Sequence, residues 1–449
     1  MTPFETEISC DLLVVGAGFA GMVAAARASR LGLDVVRCGN PAQFYFASGA
    51  MDALGAYPLD QGFLNSPADG WDALVANEPH HPYAKSSWEK LARDFDFITE
   101  FLAGAGLDYT GNPASCHENI LIPTALGTLK PAHRVPVTMA HGGKLMDEKS
   151  SGRLLLVDFT GLKGFSAAQM ASGLCELVPN RFSLVCAGPH NNGWQIQTHR
   201  IALEGSAGGI DPLHLAARFE TPDFVDGLVR ELASLAKEVD LIGFPAVCGM
   251  DNCQAIMADL EKRLGTPLFE IPMMPPSIPG IRLKNAFERA LHGVPFLGSA
   301  RIRKPEDGKF SHAHGFSLEA HAPSLVTRIN SRGLILATGS FPGGGLAGER
   351  TGIRETILDL PVFQPQSREE WHGARFFDPA GHGVSRSGIE TDASFSPVDA
   401  DGNRIHESLY AAGAILAHND WTRIKSGSGV ACLSAVTAVY DFHGRMGRP

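Results

Sequence analysis

Apolar positions along the chain fall into short blocks with polar punctuation. Asp11–Val15 is an apolar run of the kind that forms a buried parallel strand. Met22–Leu31 is rich in alanine and reads as a helix, with Gly32 as its stop. Leu33–Arg37 reads as a second strand. Far downstream, Gly333–Ala337 is an apolar strand running into Thr338-Gly339-Ser340, and Leu409–Ala412 is another running into Gly413. The loop Ser426–Gly429 then opens a helical stretch, Val430–Tyr440.

Between these pieces the pattern changes. Leu154–Phe159 reads as a strand, Ala167–Val178 as a helix, and Trp194–Leu203 alternates like an exposed strand. Phe224–Val239 reads as a helix, Asp240–Val247 as a buried strand and Met257–Leu264 as a helix. Ile271–Pro279 is too rich in proline for a helix interior. Gly308–Leu325 reads as a hairpin leading back. The expected fold is α/β: a two-dinucleotide-binding-type flavoprotein domain (1–139 and 301–449) interrupted by an inserted α/β substrate or cap domain (140–300).

The chemistry begins at Gly16-Ala17-Gly18-Phe19-Ala20-Gly21, between the first strand and the first helix. Gly16 permits a tight turn, Gly18 lets the backbone approach a phosphate, and Gly21 lets helix and strand pack closely. The helix N-terminus then offers free N–H groups and partial positive charge to an anion. The strand-ATG and strand-G-loop-helix segments are the other two pieces of a flavin-binding architecture. In that architecture the last helix N-terminus faces the pyrimidine end of the flavin, where negative charge gathers on reduction.

Composition narrows the class. The 449 residues suit two domains, and 44% hydrophobic with 19% charged residues suits a globular core. A formal net charge of −10 argues against a basic face for nucleic acid. The segment Met1–Ser9 lacks the apolar core of a signal peptide, and no run of eighteen apolar residues occurs. The eight cysteines, Cys116 and Cys186 among them, are scattered without a C-x-x-C pair. An iron–sulfur cluster, a structural zinc or a disulfide framework is therefore not expected in this chain.

One position departs from the dinucleotide pattern. An acidic residue usually ends the second strand and bonds the adenosine ribose. Here the strand ends in Arg37-Cys38-Gly39. Either a backbone group or water holds the ribose of FAD, or no adenosine is bound and the cofactor is FMN, its phosphate on the Gly16–Gly21 turn.

Longer segments resemble the B subunit of anaerobic glycerol-3-phosphate dehydrogenase over nearly the whole chain. They are GAGFAG at 16–21, FASGAMDAL at 46–54, HPY at 81–83, TALGTLKP at 124–131 and FPAVCGM at 244–250. PPSIPGIRLKN at 275–285, GSFPGGGLAGERTGIRETILDL at 339–360, Leu409–Gly413 and GSGV at 427–430 complete the match. The resemblance implies a three-subunit complex that oxidises sn-glycerol 3-phosphate to dihydroxyacetone phosphate and passes electrons to quinone. It implies an FAD-containing A subunit, an iron–sulfur C subunit that anchors the complex to the membrane, and FMN in the B subunit. The complex would be peripheral, on the cytoplasmic side of the inner membrane. Ser426 and His418-Asn419-Asp420-Trp421 depart from the family pattern near the expected flavin end.

On this reading the cofactor contacts are Gly16, Gly18, Gly21, Ser48, Gly49, Gly339, Gly413, Gly427 and Gly429. Hydride transfer from a secondary alcohol needs a base and cations for phosphate. Candidates are His382, Arg354 and Glu355 for catalysis, and Arg282 and Arg350 for substrate phosphate; Lys284 lies beside Arg282. His312 and His314 are further candidate bases, and the arginines could equally be structural ion pairs. His80-His81 has no further ligands at metal-binding spacing. Two other readings stay open: a freestanding FAD oxidoreductase, and a scaffold subunit without a redox role.

Overall fold

The computed structural model describes residues 4–110, 118–185, 193–203, 209–305, 311–312, 315–323 and 325–447. Cys116, Cys186 and His314 lie outside the described residues, as does much of the 308–325 hairpin; the side chain of His312 is likewise not described.

The first sheet is built on β1 (Phe4–Val15), whose Leu12–Val14 are fully buried. β1 pairs in parallel with β2 (Val35–Gly39) on one side and with β14 (Leu325–Leu336) on the other. Helix α1 (Phe19–Arg30) connects β1 to β2. Beyond β2 lies β10 (Phe296–Gly298), and beyond β14 lie β13 (Gly315–Ala322) and β11 (Arg301–Arg303), with β12 (Ser311–His312) on β13. The last three residues of β14, Leu334–Leu336, also pair in parallel with β17 (Leu409–Ala411). Helix α10 (Gly427–Met446) crosses this sheet so closely that a Cβ on Gly333 of β14 would collide with the Phe442 ring. Helices α2 (Pro67–Asn77) and α3 (Trp88–Ala103) pack on the same core.

The second sheet is all parallel, in the order β6 (Phe182–Leu184), β7 (Trp194–Ile201), β5 (Gly152–Phe159), β8 (Leu241–Pro245) and β9 (Leu268–Ile271). Its helices are α4 (Ala167–Leu177), α5 (Pro212–Phe219), α6 (Pro222–Ala236) and α7 (Cys253–Leu264). It has its own core, centred on Leu154–Val157 and Phe244. Two hairpins complete the fold: β3 (Ile120–Pro123) with β4 (Leu129–Ala132), and β15 (Leu346–Gly348) with β16 (Ile353–Glu355).

The chain re-enters the first sheet through a helix absent from the hydrophobic pattern, α8 (Ile278–Ala290). Pro279 lies in its first turn, where a missing N–H costs nothing. Ile278 and Ile281 belong to the second core, Leu283 and Phe287 to the first. One helix thus rivets the two cores together. A short helix, α9 (Trp421–Ile424), precedes α10.

Candidate functional site

The end of β1 sets the site. Gly16 has φ +123°, and a Cβ there would collide with the Ala337 carbonyl at the end of β14. A Cβ on Gly21 would collide with the Gly16 carbonyl, so the helix can sit this close only as glycine. Gly18 caps α1 in extended conformation, with no side-chain cap and no acid in the first turn. The N–H groups and positive end of α1 are therefore left for an external anion.

That helix end opens on a cleft of about 610 Å³. Gly16, Gly18 and Thr338 line it, together with Gly39, Asn40, Ala300–Arg303 and Arg354. The Thr338 hydroxyl oxygen is buried without a hydrogen-bond partner among the described residues. A smaller chamber of about 150 Å³ continues inward between Phe19, Phe44, Gly49, Met51, Leu283 and Ser428. Gln43 lines both chambers.

Ser428 brings the N-terminus of α10 to the smaller chamber, but that terminus is not bare. The Asp52 carboxylate accepts from the Ser428 N–H at 2.7 Å, and the Asp52 carbonyl accepts from the Gly429 N–H at 2.8 Å. Lys130 approaches the same carboxylate at 3.5 Å. Lys425 is half-buried nearby, and burial lowers its ammonium pKa, as does the proximity of Lys130, against the pull of Asp52.

These residues fit a flavin nucleotide. The uncapped α1 terminus suits a phosphate, and the unpartnered Thr338 hydroxyl supplies a polar contact in the same wall. The apolar inner chamber suits part of a ring system. Arg37, the cation at the end of the second strand, takes no part. It is buried beneath α1, where one Nη donates to the Val294 carbonyl at 3.3 Å and the other lies 3.2 Å from the Met22 sulfur.

The expected cofactor residues divide into three groups. Gly16, Gly18 and Gly49 line the chambers. Gly21 and Gly413 lie behind them as close-packing points; the Gly413 N–H is taken by the Ser434 hydroxyl at 3.0 Å. Gly339 sits beside Gln43, Ser48 accepts from the Ala50 N–H at 3.4 Å, and Gly427 packs on Trp421. Gly429 is filled by the Tyr83 hydroxyl, which is also hydrogen-bonded to the Ala53 carbonyl.

The expected catalytic and substrate residues are held elsewhere. Arg282, expected at a substrate phosphate, is instead a structural ion pair: it meets Glu270 through Nη1 at 2.6 Å and Nη2 at 2.9 Å, and donates from Nε to the Gly249 carbonyl. Both partners are buried. Lys284 pairs with Glu288 one turn on. Glu355 accepts from the N–H groups of Ile357 and Leu358 at 2.8 and 2.6 Å, locking the turn after β16. Burial raises its carboxyl pKa, and those backbone donors oppose the rise. His382 accepts from the Gly373 N–H at Nδ1, so Nε2 carries the proton and donates to the Phe376 carbonyl at 2.9 Å. Neither nitrogen is left to take a proton from a substrate. Arg354 does reach the cleft wall, though it is paired with Glu349 and Asp359, and Arg350 is exposed in the β15–β16 turn.

Sequence reasoning passed over Gln43, Asn40, Thr338, Ser428, Asp52 and the arginines of β11. The signal for Thr338 was available in the strand-ATG segment. The others depend on chain segments that meet only in the fold. Of the atypical loop, His418 is tied to Glu390 at 2.8 Å and packs against the Phe363 ring. Among the described residues no cluster of three metal-ligating side chains occurs, and no helix is long and apolar enough to cross a membrane.

Comparison with known proteins agrees with this geometry. The model of the family described as "FAD binding domain" matches residues 11–430. A protein of Halobacterium salinarum, named as the probable B subunit of anaerobic glycerol-3-phosphate dehydrogenase, is 29% identical, covering 96% of this chain and 97% of that one. The Vibrio cholerae protein named as the B subunit of the same enzyme is 28% identical over 96% of this chain and 95% of its own. Among solved structures, 3-ketosteroid Δ1-dehydrogenase from Sterolibacterium denitrificans aligns over 97% of this chain and 100% of its own, at 12% identity and a TM-score of 0.44.

Proposed function

This chain belongs to the FAD binding domain family, and we propose that it is the B-type subunit of a quinone-linked glycerol-3-phosphate dehydrogenase and holds FAD rather than FMN. The match of residues 11–430 to the FAD binding domain supports the cofactor reading. Besides the α1 terminus, the larger chamber is lined by Gly39, Asn40 and Ala300–Arg303, groups beyond those that a single phosphate on α1 needs. The absent acid has a steric reason that is compatible with FAD. A Cβ on Gly39 would press to 2.8 Å on the Ala17 nitrogen, so β2 ends too close to the glycine turn to carry a carboxylate there. In this reading Asn40 and backbone groups meet the ribose, and Arg301, Arg303 and Arg354 offset the diphosphate charge.

When bound, a flavin supplies acceptance of a hydride from a secondary alcohol and onward transfer of electrons. The chain's own part is to bind and orient it. The α1 terminus and Thr338 hold the phosphate end. The apolar inner chamber would take part of the ring away from water, and Ser428 with Asp52 would set the charge beside it. The names of the curated relatives support glycerol 3-phosphate as substrate and the subunit role; in this reading the product is dihydroxyacetone phosphate. The partners in this reading are an FAD-containing A subunit and an iron–sulfur, membrane-anchoring C subunit, with the complex peripheral at the cytoplasmic face of the inner membrane. Both His382 and Glu355 are engaged by backbone groups, which favours a relay of electrons over independent turnover.

The test is anaerobic. sn-Glycerol 3-phosphate is added to the purified chain, alone and with the A subunit, while flavin absorbance is followed. Bleaching in the mixture that exceeds that of the A subunit alone, with none in this chain alone, is expected. Bleaching of the chain alone would make it a dehydrogenase in its own right.

A further inference from the structure

Gln43 stands where the two chambers meet, and nothing in the glycine motif accounts for it. It lies on the short helical segment Pro41–Phe46 that follows β2. Three glycines from two distant segments make room for its amide. A Cβ on Gly18 would lie 3.1 Å from Gln43 Oε1. A Cβ on Gly339 would lie 3.3 Å from Nε2, and one on Gly343 only 2.7 Å from it. The amide therefore bridges the gap between the α1 terminus and the glycine loop after β14.

The backbone beneath Gln43 is fixed. Asn40 Oδ1 accepts from the Ala42 N–H at 3.0 Å, and Phe44 is buried against Phe287 of α8. The Ser277 hydroxyl donates to the Ala47 carbonyl at 2.6 Å, and the Ser277 N–H donates to the Tyr45 carbonyl at 2.8 Å. A Cβ on Gly280 would collide with the Phe44 carbonyl. The start of α8, returning from the inserted domain, thus sets the height of Gln43 in the cleft.

We propose that Gln43 is a phosphate-binding and specificity residue of the cofactor site: its amide N–H, which faces the Gly339–Gly343 loop, donates to a phosphate of the flavin nucleotide held between that loop and α1, and its neutrality is what admits that anion. This rests on the reading of the cleft as a flavin nucleotide site. A primary amide offers two donors without charge and fits between two glycine segments that themselves carry no side chain. A carboxylate of the same shape would face the phosphate with like charge.

The full chain is freed of its flavin and titrated with FAD, FMN and riboflavin by quenching of flavin fluorescence, for wild type, Gln43→Ala and Gln43→Glu. Gln43→Ala is expected to weaken the phosphorylated flavin that the wild type retains by about tenfold. Gln43→Glu should weaken it further, and riboflavin affinity should stay within about twofold, since it has no phosphate. Equal affinities in wild type and both variants would overturn the proposal. So would a loss that falls on riboflavin as heavily, because Gln43 would then only shape the cleft. Retention of FMN by the wild type would sink the FAD reading alone, and the Gln43 contact would be judged on FMN against riboflavin. A wild type that binds no flavin would overturn both. Circular dichroism melts of the two variants confirm that each is folded.

Discussion

The carboxylate of Asp52 accepts a hydrogen bond from the backbone N–H of Ser428, 376 residues away, at 2.7 Å. The positive end of α10 therefore reaches the inner chamber already balanced by an acid. An acid at that position opposes accumulation of negative charge on a reduced ring beside it. Replacing Asp52 with Asn removes the charge and keeps the shape. The flavin midpoint potential should rise, read by equilibrium reduction against a dye of known potential. An unchanged potential would mean that the ring does not lie beside α10. Asp52→Ala should also cost about 1–2 kcal/mol of stability in urea denaturation, as a lost helix cap does.

Gly429 is held by contact rather than by conformation. A Cβ there would collide with the Tyr83 hydroxyl and come within 2.9 Å of the Ala53 carbonyl. Gly429→Ala should cost about 3 kcal/mol or more. Adding Tyr83→Phe removes the nearer obstacle. The double variant should recover part of the loss, so the two changes should be non-additive in a denaturation cycle.

Arg282 and Glu270 form a buried pair, with Glu270 also accepting from the Cys248 N–H at 2.9 Å. Removing one partner strands a buried charge. Arg282→Ala should lose about 3–5 kcal/mol of stability. The Michaelis constant for sn-glycerol 3-phosphate in the assembled complex should not change. A raised Michaelis constant with intact stability would return Arg282 to the substrate site.

Acid stability should depend on His81. Its Nδ1 accepts from the Tyr83 N–H, its ring is buried, and burial pushes its pKa down to about 3. The unfolded chain titrates this group near its ordinary value of 6.5. Between these values the unfolded state binds the extra proton, so stability falls as pH drops from about 6.5 toward 3, by up to about 1.4 kcal/mol per pH unit. His81→Phe should flatten the acid limb of a stability–pH curve. An identical slope in the variant would assign the acid sensitivity to other groups.

The first strand, the glycine turn and the first helix are legible in the sequence because all their constraints are local. The spacing of Gly16, Gly18 and Gly21 follows from contacts within a few residues and one neighbouring strand. α8 is hidden because its first turn is proline, and prolines read as a break even where they mark a helix start. The inner wall is hidden for a different reason. Asp52 with Ser428, and Gln43 with Gly343, are pairs whose members lie in distant chain segments, and no periodicity links them. The candidate bases mislead because residue type is legible and hydrogen-bond partners are not. His382 has the right chemistry, but the backbone at Gly373 and Phe376 already uses both its nitrogens.

The cofactor itself decides whether the cleft on α1 is a flavin dinucleotide site. The purified chain should be denatured and its released cofactor separated by chromatography beside FAD and FMN standards. FAD at about one per chain is the predicted result, in keeping with the match to the FAD binding domain over residues 11–430. FMN, or a colourless chain that takes up no FAD on reconstitution, would contradict it.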